Sequence, residues 1–215
     1  MRTEQRLAVH YFNGLDDLQF DPVEYSKLKF GSDIIARRYG HELADTFFRE
    51  HADVLLSMPA VVIPSPYNYV QNAASVMARH FTNRLNHHLG HANGNSVEWT
   101  VIHRKVTYTN DYGFLSADQR KALIDGDSFY FNDKFVEGKL LIFIDDVYIT
   151  GTHERKLAEI MDTAGMRNRC FYLYYGMKMP GTNPDVEAAI NLAGIKDLRD
   201  YAELMLEPNH HIIVR

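Results

Sequence analysis

Apolar positions recur in this chain with two different spacings, and each spacing predicts its own kind of element. Short runs rich in apolar and β-forming residues read as strands. Ala60 to Ile63, Val97 to Ile102, Leu140 to Ile144 and Cys170 to Gly176 are four such runs, and Leu7 to Phe12 is a shorter candidate. Helical spacing lies between them. Ile35, Tyr39, Leu43 and Phe47 recur every four residues and predict a helix from Ser32 or Asp33 to about residue 51. Val70, Ala73, Ala74, Met77, Phe81, Leu85 and Leu89 form the apolar stripe of a second helix, from about Tyr69 to Leu89. Leu157, Ile160, Met161 and Ala164 mark a third, starting near His153 and ending near Gly165.

Breaks separate these elements. Asn13-Gly14 and Asp16-Asp17 mark a turn, Pro64-Ser65-Pro66 ends a strand, and Gly90 to Asn95 form a helix exit. Residues 21–32 carry Pro22 and Gly31 and are expected to be irregular. Residues 103–138 are polar and interrupted, with a short helix expected at 117–124; a connection this long points to a functional loop. One or two helices are expected within 185–206, and a last strand at 211–214. The alternation over 60–176 predicts an α/β fold with a mostly parallel sheet and helices on both faces. Ligands of such sheets sit at the C-terminal ends of the strands. Pro64 to Asn68, the end of the 97–102 strand, Asp145 to His153 and Gly176 to Lys178 would then border one cleft.

Composition narrows the class. The chain has 215 residues, 46% of them hydrophobic, which suits one α/β domain with a modest extra lobe. The formal charge is −5 and residues 1–59 show no basic excess, so nucleic acid is not the expected partner. The single cysteine, Cys170, opens an apolar run; it forms no intrachain disulfide and reads as core. No apolar segment reaches membrane-spanning length, and Met1 to Arg6 lack the apolar core of a signal peptide, so a cytoplasmic protein is expected. His87, His88 and His91 cluster at a helix end, where a solvated helix terminus explains them better than a metal does. Trp99 is expected in the core.

The chemistry concentrates between Lys139 and Leu157. An apolar strand ends in two carboxylates, Asp145 and Asp146, followed by Thr150-Gly151-Thr152 and a helix start. Loop amides and the positive end of a helix dipole suit a phosphate. The carboxylates can accept hydrogen bonds from vicinal sugar hydroxyls, directly or through a divalent ion.

These residues resemble the signature of the type I phosphoribosyltransferases. Ile144-Asp145-Asp146-Val147-Tyr148 and Thr150-Gly151-Thr152 match it; Ile149 and His153 stand where the family often has hydroxyl residues. Val62 to Asn68 occupies the place of the family's pyrophosphate loop. Val70-Gln71-Asn72-Ala73-Ala74, Leu115-Ser116-Ala117-Asp118-Gln119-Arg120 and Gly138-Lys139 are similar to segments of competence-associated members. The resemblance covers about 60–176. It implies a Rossmann-like fold with a core at about 55–178 and a small variable hood built from 1–54 and 179–215, within a single domain 1–215.

The resemblance also implies an activity: a nitrogen nucleophile, usually a nucleobase, displaces pyrophosphate from C1 of phosphoribosyl pyrophosphate. Asp145 and Asp146 would hold the ribose hydroxyls and Mg²⁺. Val147, Tyr148, Ile149, Thr150, Gly151, Thr152 and His153 would bind the 5-phosphate end. Ser65, Pro66 and Tyr67 would meet the pyrophosphate. Arg104, then Lys105, would be the catalytic cations, with Arg120 and Lys121 further along the loop and Tyr108 and Tyr112 closing over the substrate. Tyr174, Tyr175 and Lys178 would stand near the acceptor. Lys27 to Ser32 could bring cations near the cleft, though an exposed basic turn is the expectation. A homodimer would follow the family's habit. Two rivals remain: a non-catalytic regulator or accessory protein of the same fold, and a nucleotide hydrolase with a metal on the acid pair. The second lacks the Gly-x-x-x-x-Gly-Lys-Ser/Thr loop of the triphosphatases.

Overall fold

The computed structural model describes residues 3–67, 70–105, 128–130, 132–180 and 186–213; for 103–105, 128–130 and 133 it describes the backbone alone. Strand β1 (Glu4–Phe12) leads through a 3-10 turn to helices α1 (Pro22–Lys29) and α2 (Asp33–Ser57). Strand β2 (Ala60–Pro64), helix α3 (Ala73–His91) and the short strand β3 (Glu98–Trp99) follow. After β4 (His103–Lys105), β5 (Ser128–Tyr130) and a single-turn helix α4 (Asp133–Val136) come β6 (Leu140–Tyr148), α5 (Thr152–Thr163), β7 (Cys170–Lys178), α6 (Val186–Asn191) and α7 (Leu198–Leu204).

Five strands pair in the order β1-β7-β6-β2-β3, every pair parallel, so the protein has the α/β sheet the patterning predicts. Successive residues of β6 point to opposite faces. Leu140, Ile142 and Ile144 join a core with Tyr39, Leu43 and Phe47 of α2 and Met77, Phe81 and Leu85 of α3. Leu141 and Phe143 join a second core with Leu157 and Met161 of α5. Helices therefore cover both faces, which explains why β6 reads as an unbroken apolar run.

Several elements differ from their expected form. Residues 21–32 are not irregular: Asp21 caps α1 by accepting from the Val23 amide at 2.8 Å, and Pro22 takes the first helical position. Proline breaks a helix interior but suits its first turn, where no amide partner is lost. Helix α2 begins as expected, with Ser32 as its cap, and continues past 51 to Ser57 through a kink at His51. Helix α3 starts only at Ala73, because the Asn72 side chain caps it from the Ser75 amide at 2.9 Å; Val70 lies before it and is exposed. The run 97–102 yields only two strand residues at the sheet edge. Trp99, expected in the core, is exposed there at the end of the strand order. The acids do not end their strand either: β6 runs on through them to Tyr148 by pairing with β7. Strand β1 belongs to the main sheet, so the sheet core begins well before residue 55. No strand forms at 211–213; those residues dock on the α1–α2 corner instead. The His211 amide donates to the Gly31 carbonyl at 2.9 Å, and His211 also meets Asp33 at 2.8 Å.

Candidate functional site

The site arises where neighbouring strands stop at different lengths. Strand β2 pairs with β6 only from Ala60–Leu140 to Pro64–Ile144, whereas β6 and β7 stay paired to Tyr148–Met177. Beyond Ile144 the β2 side of β6 is therefore open, and Asp145 and Asp146 stand at this opening. The chain after β2 turns away there, with the Ser65 amide donating to the Ile144 carbonyl at 2.8 Å. Asn72 steadies that turn: its side-chain amide donates to the Ser65 carbonyl at 3.3 Å while its oxygen caps α3.

A cavity of about 630 Å³ opens at this point, running from Lys29 at the end of α1 and from α6 to the loop before α5. Ser65 and Pro66, the first residues of α3, the whole run Asp145 to Glu154, Tyr174, Lys29 of α1, and Glu187 and Asn191 of α6 line it. Two helices, α3 and α5, present their N-terminal residues to it. First-turn amides have no intrahelical acceptor, and the dipole makes these ends positive, so two anion-favouring termini face one cavity.

The loop before α5 is shaped by Gly151. Its φ of +69° lies in the left-handed region, and a Cβ there would meet the Tyr148 ring, 2.5 Å from its hydroxyl oxygen. Thr150 and Thr152 hydroxyls lie 2.9 Å apart, and Arg155 ties the loop from outside by donating to the Thr150 carbonyl at 2.7 Å. Ile149 packs against the main core instead of facing the loop as a hydroxyl residue would. Glu154 holds the start of α5 to the sheet. It is buried, accepts from Arg6 Nε at 2.8 and 2.9 Å, and accepts from the Tyr174 hydroxyl at 2.9 Å. Burial, then the Glu154 charge, pushes the Tyr174 hydroxyl far above its ordinary pKa, so it stays a donor.

The two acids have different partners. Asp145 accepts from His153 Nδ1 at 2.9 Å, and this hydrogen bond raises the imidazole pKa above its ordinary value. Asp146 takes the Lys29 ammonium at 2.6 Å and the Val147 amide at 2.8 Å. Burial alone would depress the Lys29 pKa, but the charge and hydrogen bond of Asp146 outweigh it and the ammonium ends above its usual value. Tyr25, buried beside Asp146, has its hydroxyl pKa pushed well up by burial and by that carboxylate. Asp145 keeps 18% of its side-chain surface exposed and Asp146 only 7%, so a ligand entering the cavity meets Asp145 first.

The structure thus brings Ser65, Pro66 and Asp145 to His153 to one cavity. Tyr67 follows them but does not line it. Arg104 and Lys105 lie on β4, their backbones opposite Phe129 and Ser128 of β5. Tyr108, Tyr112, the expected helix at 117–124 and Leu115 to Lys121 lie outside the described residues. Tyr174 lines the cavity while Tyr175 turns away, stacked on Tyr39 at 3.6 Å and donating to Glu42 at 2.9 Å. Lys178 is buried outside the cavity. His87 and His91 meet at 3.3 Å on the surface; among the described residues no group of three or more His, Cys, Asp or Glu is placed to hold a metal. Sequence reasoning missed Glu154, Glu187 and Asn191, and the exposed basic turn expected at Lys27 to Ser32 is instead a helix end whose Lys29 enters the cavity. For Lys29 the signal was present: Asp21-Pro22 is a helix start, and a helix from there carries Lys29 inward at its last turn.

A parallel α/β sheet with an acid pair, a glycine loop and a helix start at its open edge is the arrangement of the type I phosphoribosyltransferase-like fold. The chain belongs to the ComF-like phosphoribosyltransferase family, whose model matches residues 3–214. No curated protein matches it. Among solved structures it is similar to a hypoxanthine phosphoribosyltransferase from Staphylococcus aureus, at 10% identity and a TM-score of 0.40, over 68% of this chain and 77% of that one. It is also similar to the TT1426 protein of Thermus thermophilus, at 15% identity and a TM-score of 0.36, over 74% and 96%. No helix of the described residues is long and apolar enough to cross a membrane.

Proposed function

We propose that the chain is a phosphoribosyltransferase that moves the 5-phosphoribosyl group of phosphoribosyl pyrophosphate to a nitrogen nucleophile, a nucleobase or related heterocycle, releasing pyrophosphate. The observation that carries this is the single cavity shared by Asp145, the Thr150–His153 loop and the hood. The 5-phosphate would sit on the first-turn amides of α5, between Thr150 and His153, with the protonated imidazole adding charge. Asp145 would accept from the ribose hydroxyls and face the positive charge that grows on the ring as the C1–oxygen bond breaks. Pyrophosphate would leave toward Ser65 and Pro66, with Arg104 and Lys105 as candidate cations. The acceptor would enter from the hood side, near Glu187 and Asn191.

Mg²⁺ is the expected cofactor, and the acid pair does not suit it as an inner-sphere ligand set. The Lys29 ammonium already neutralises Asp146, and each of the four carboxylate oxygens gives one lone pair to His153, Lys29 or a backbone amide, which leaves the pair with less charge and fewer free lone pairs for a metal. Mg²⁺ would instead enter together with the sugar phosphate and would supply charge that neutralises the leaving group.

The test is pyrophosphate release from phosphoribosyl pyrophosphate across a panel of purines, pyrimidines and other nitrogen heterocycles. Release with one acceptor class, lost in Asp145→Asn, is expected. Binding of the sugar phosphate with no release from any acceptor would favour the second reading, a non-catalytic family member, which Ile149 in the phosphate loop and Lys29 on Asp146 support.

A further inference from the structure

We infer that Lys29 is a positioning residue that serves as the resident cation of Asp146, excluding divalent metal ions from direct contact with the acid pair. The inference rests on the proposed sugar-phosphate site but concerns a residue outside the signature. Lys29 comes from the last turn of α1, 117 residues from its partner, and its ammonium reaches Asp146 Oδ2 at 2.6 Å. The contact is sheltered: 23% of the Lys29 side chain and 7% of the Asp146 side chain remain exposed, and the ammonium lies 5.9 Å from the centre of the Tyr25 ring. Helix α1 is itself fixed in place, since the Ser26 hydroxyl donates to the Asn191 carbonyl at 2.9 Å and accepts from the Ile195 amide at 3.2 Å.

The charge balance makes the ammonium consequential. Asp145, Asp146 and Glu187 all line the cavity that Lys29 enters, with His153 beyond them. With Glu154, which Arg6 already neutralises, four carboxylates line this opening; among the described residues no three are placed to ligate one ion together, but an unneutralised acid pair would draw a hard divalent ion. Lys29 supplies a fixed positive charge on the more buried acid. It thereby leaves Asp145 as the acid open to a sugar hydroxyl and ties the hood to the sheet at the same carboxylate. A divalent ion then enters only with the oxygens of its substrate.

The test uses Mn²⁺ alone, followed by the electron paramagnetic resonance of the free ion, so it needs no sugar phosphate and is independent of whether that ligand binds. Wild type is expected to show no Asp146-dependent site. Lys29→Met should gain one, tightening Mn²⁺ binding about tenfold or more, and Lys29→Met/Asp146→Asn should lose it again. Lys29→Arg, which keeps the charge, should behave as wild type. Tight Mn²⁺ binding by wild type that Asp146→Asn removes would overturn the inference. So would a folded Lys29→Met that binds no better than wild type. The wild-type arm remains decisive even if Lys29→Met fails to fold.

Discussion

Replacing Gly151 with alanine perturbs the phosphate loop at one atom. Two costs follow from the structure. The first is conformational: at φ +69° an alanine sits in the left-handed region, which costs an L-residue about 1–2 kcal/mol. The second is steric. The new methyl would lie 2.5 Å from the Tyr148 hydroxyl oxygen and 2.9 Å from two ring carbons. Relief requires the ring to move, yet Tyr148 is held edge-on to Tyr174 at 5.3 Å, with the Arg6 guanidinium 5.6 Å from its centre. Overpacking of this kind costs about 1–3 kcal/mol. Together the loss is about 2–5 kcal/mol, or a fall in Tm of roughly 4–20 °C for a chain of this length. Denaturant unfolding of wild type, Gly151→Ala, Tyr148→Ala and the double variant separates the terms. In the Tyr148→Ala background the glycine substitution should cost about 1–2 kcal/mol, leaving a coupling of about 1 kcal/mol or more. A Gly151→Ala cost below about 0.5 kcal/mol, or one indifferent to Tyr148, would refute the reasoning.

Three further outcomes are expected. Glu154→Ala strands the Tyr174 hydroxyl and frees Arg6; because the guanidinium is half exposed, the loss should be about 1–3 kcal/mol, read by denaturant unfolding, and smaller in an Arg6→Ala background. Tyr39→Phe should be neutral or stabilising by up to about 1 kcal/mol, since among the described residues the buried Tyr39 hydroxyl has no partner while its ring stacks on Tyr175; a clear loss would show that the hydroxyl is satisfied. His153 has its pKa raised by Asp145, so its positive charge, and the share of phosphate affinity it contributes, is complete below pH 6.5 and fades as pH rises through the higher folded value. Asp146 and Lys29 face the same imidazole and shape that profile. Titration of inorganic phosphate across pH should show this decline in wild type and a flatter profile in His153→Asn.

The sheet was legible because its strands are buried on both faces: Leu140 to Ile144 and Cys170 to Gly176 have no polar residue to confuse their period. The acid pair and loop were legible because strand, carboxylates, glycine and helix start are contiguous in the chain. What escaped depends on partners distant in sequence. The Arg6–Glu154 contact spans 148 residues and no local pattern marks it; Lys29–Asp146 spans 117, and the local helix start places Lys29 without pointing to its partner. Residues 22–29 form a helix against the expectation because Pro22 serves there as a first helical residue and not as a break. Trp99 was misread because the sequence cannot distinguish an edge strand from a central one by composition alone. The acids fall inside β6 and not at its end because β7 outlasts β2, which is a property of the neighbours and not of the strand.

The central claim is that the cavity beside Asp145 holds a phosphorylated ribose. Calorimetric titration of phosphoribosyl pyrophosphate with Mg²⁺ into wild type and Asp145→Asn tests it most directly. Saturable binding by wild type, weakened about tenfold or more in the folded Asp145→Asn variant, is the predicted result. A well-folded wild type that takes up no heat, or a variant that binds equally well, would contradict it.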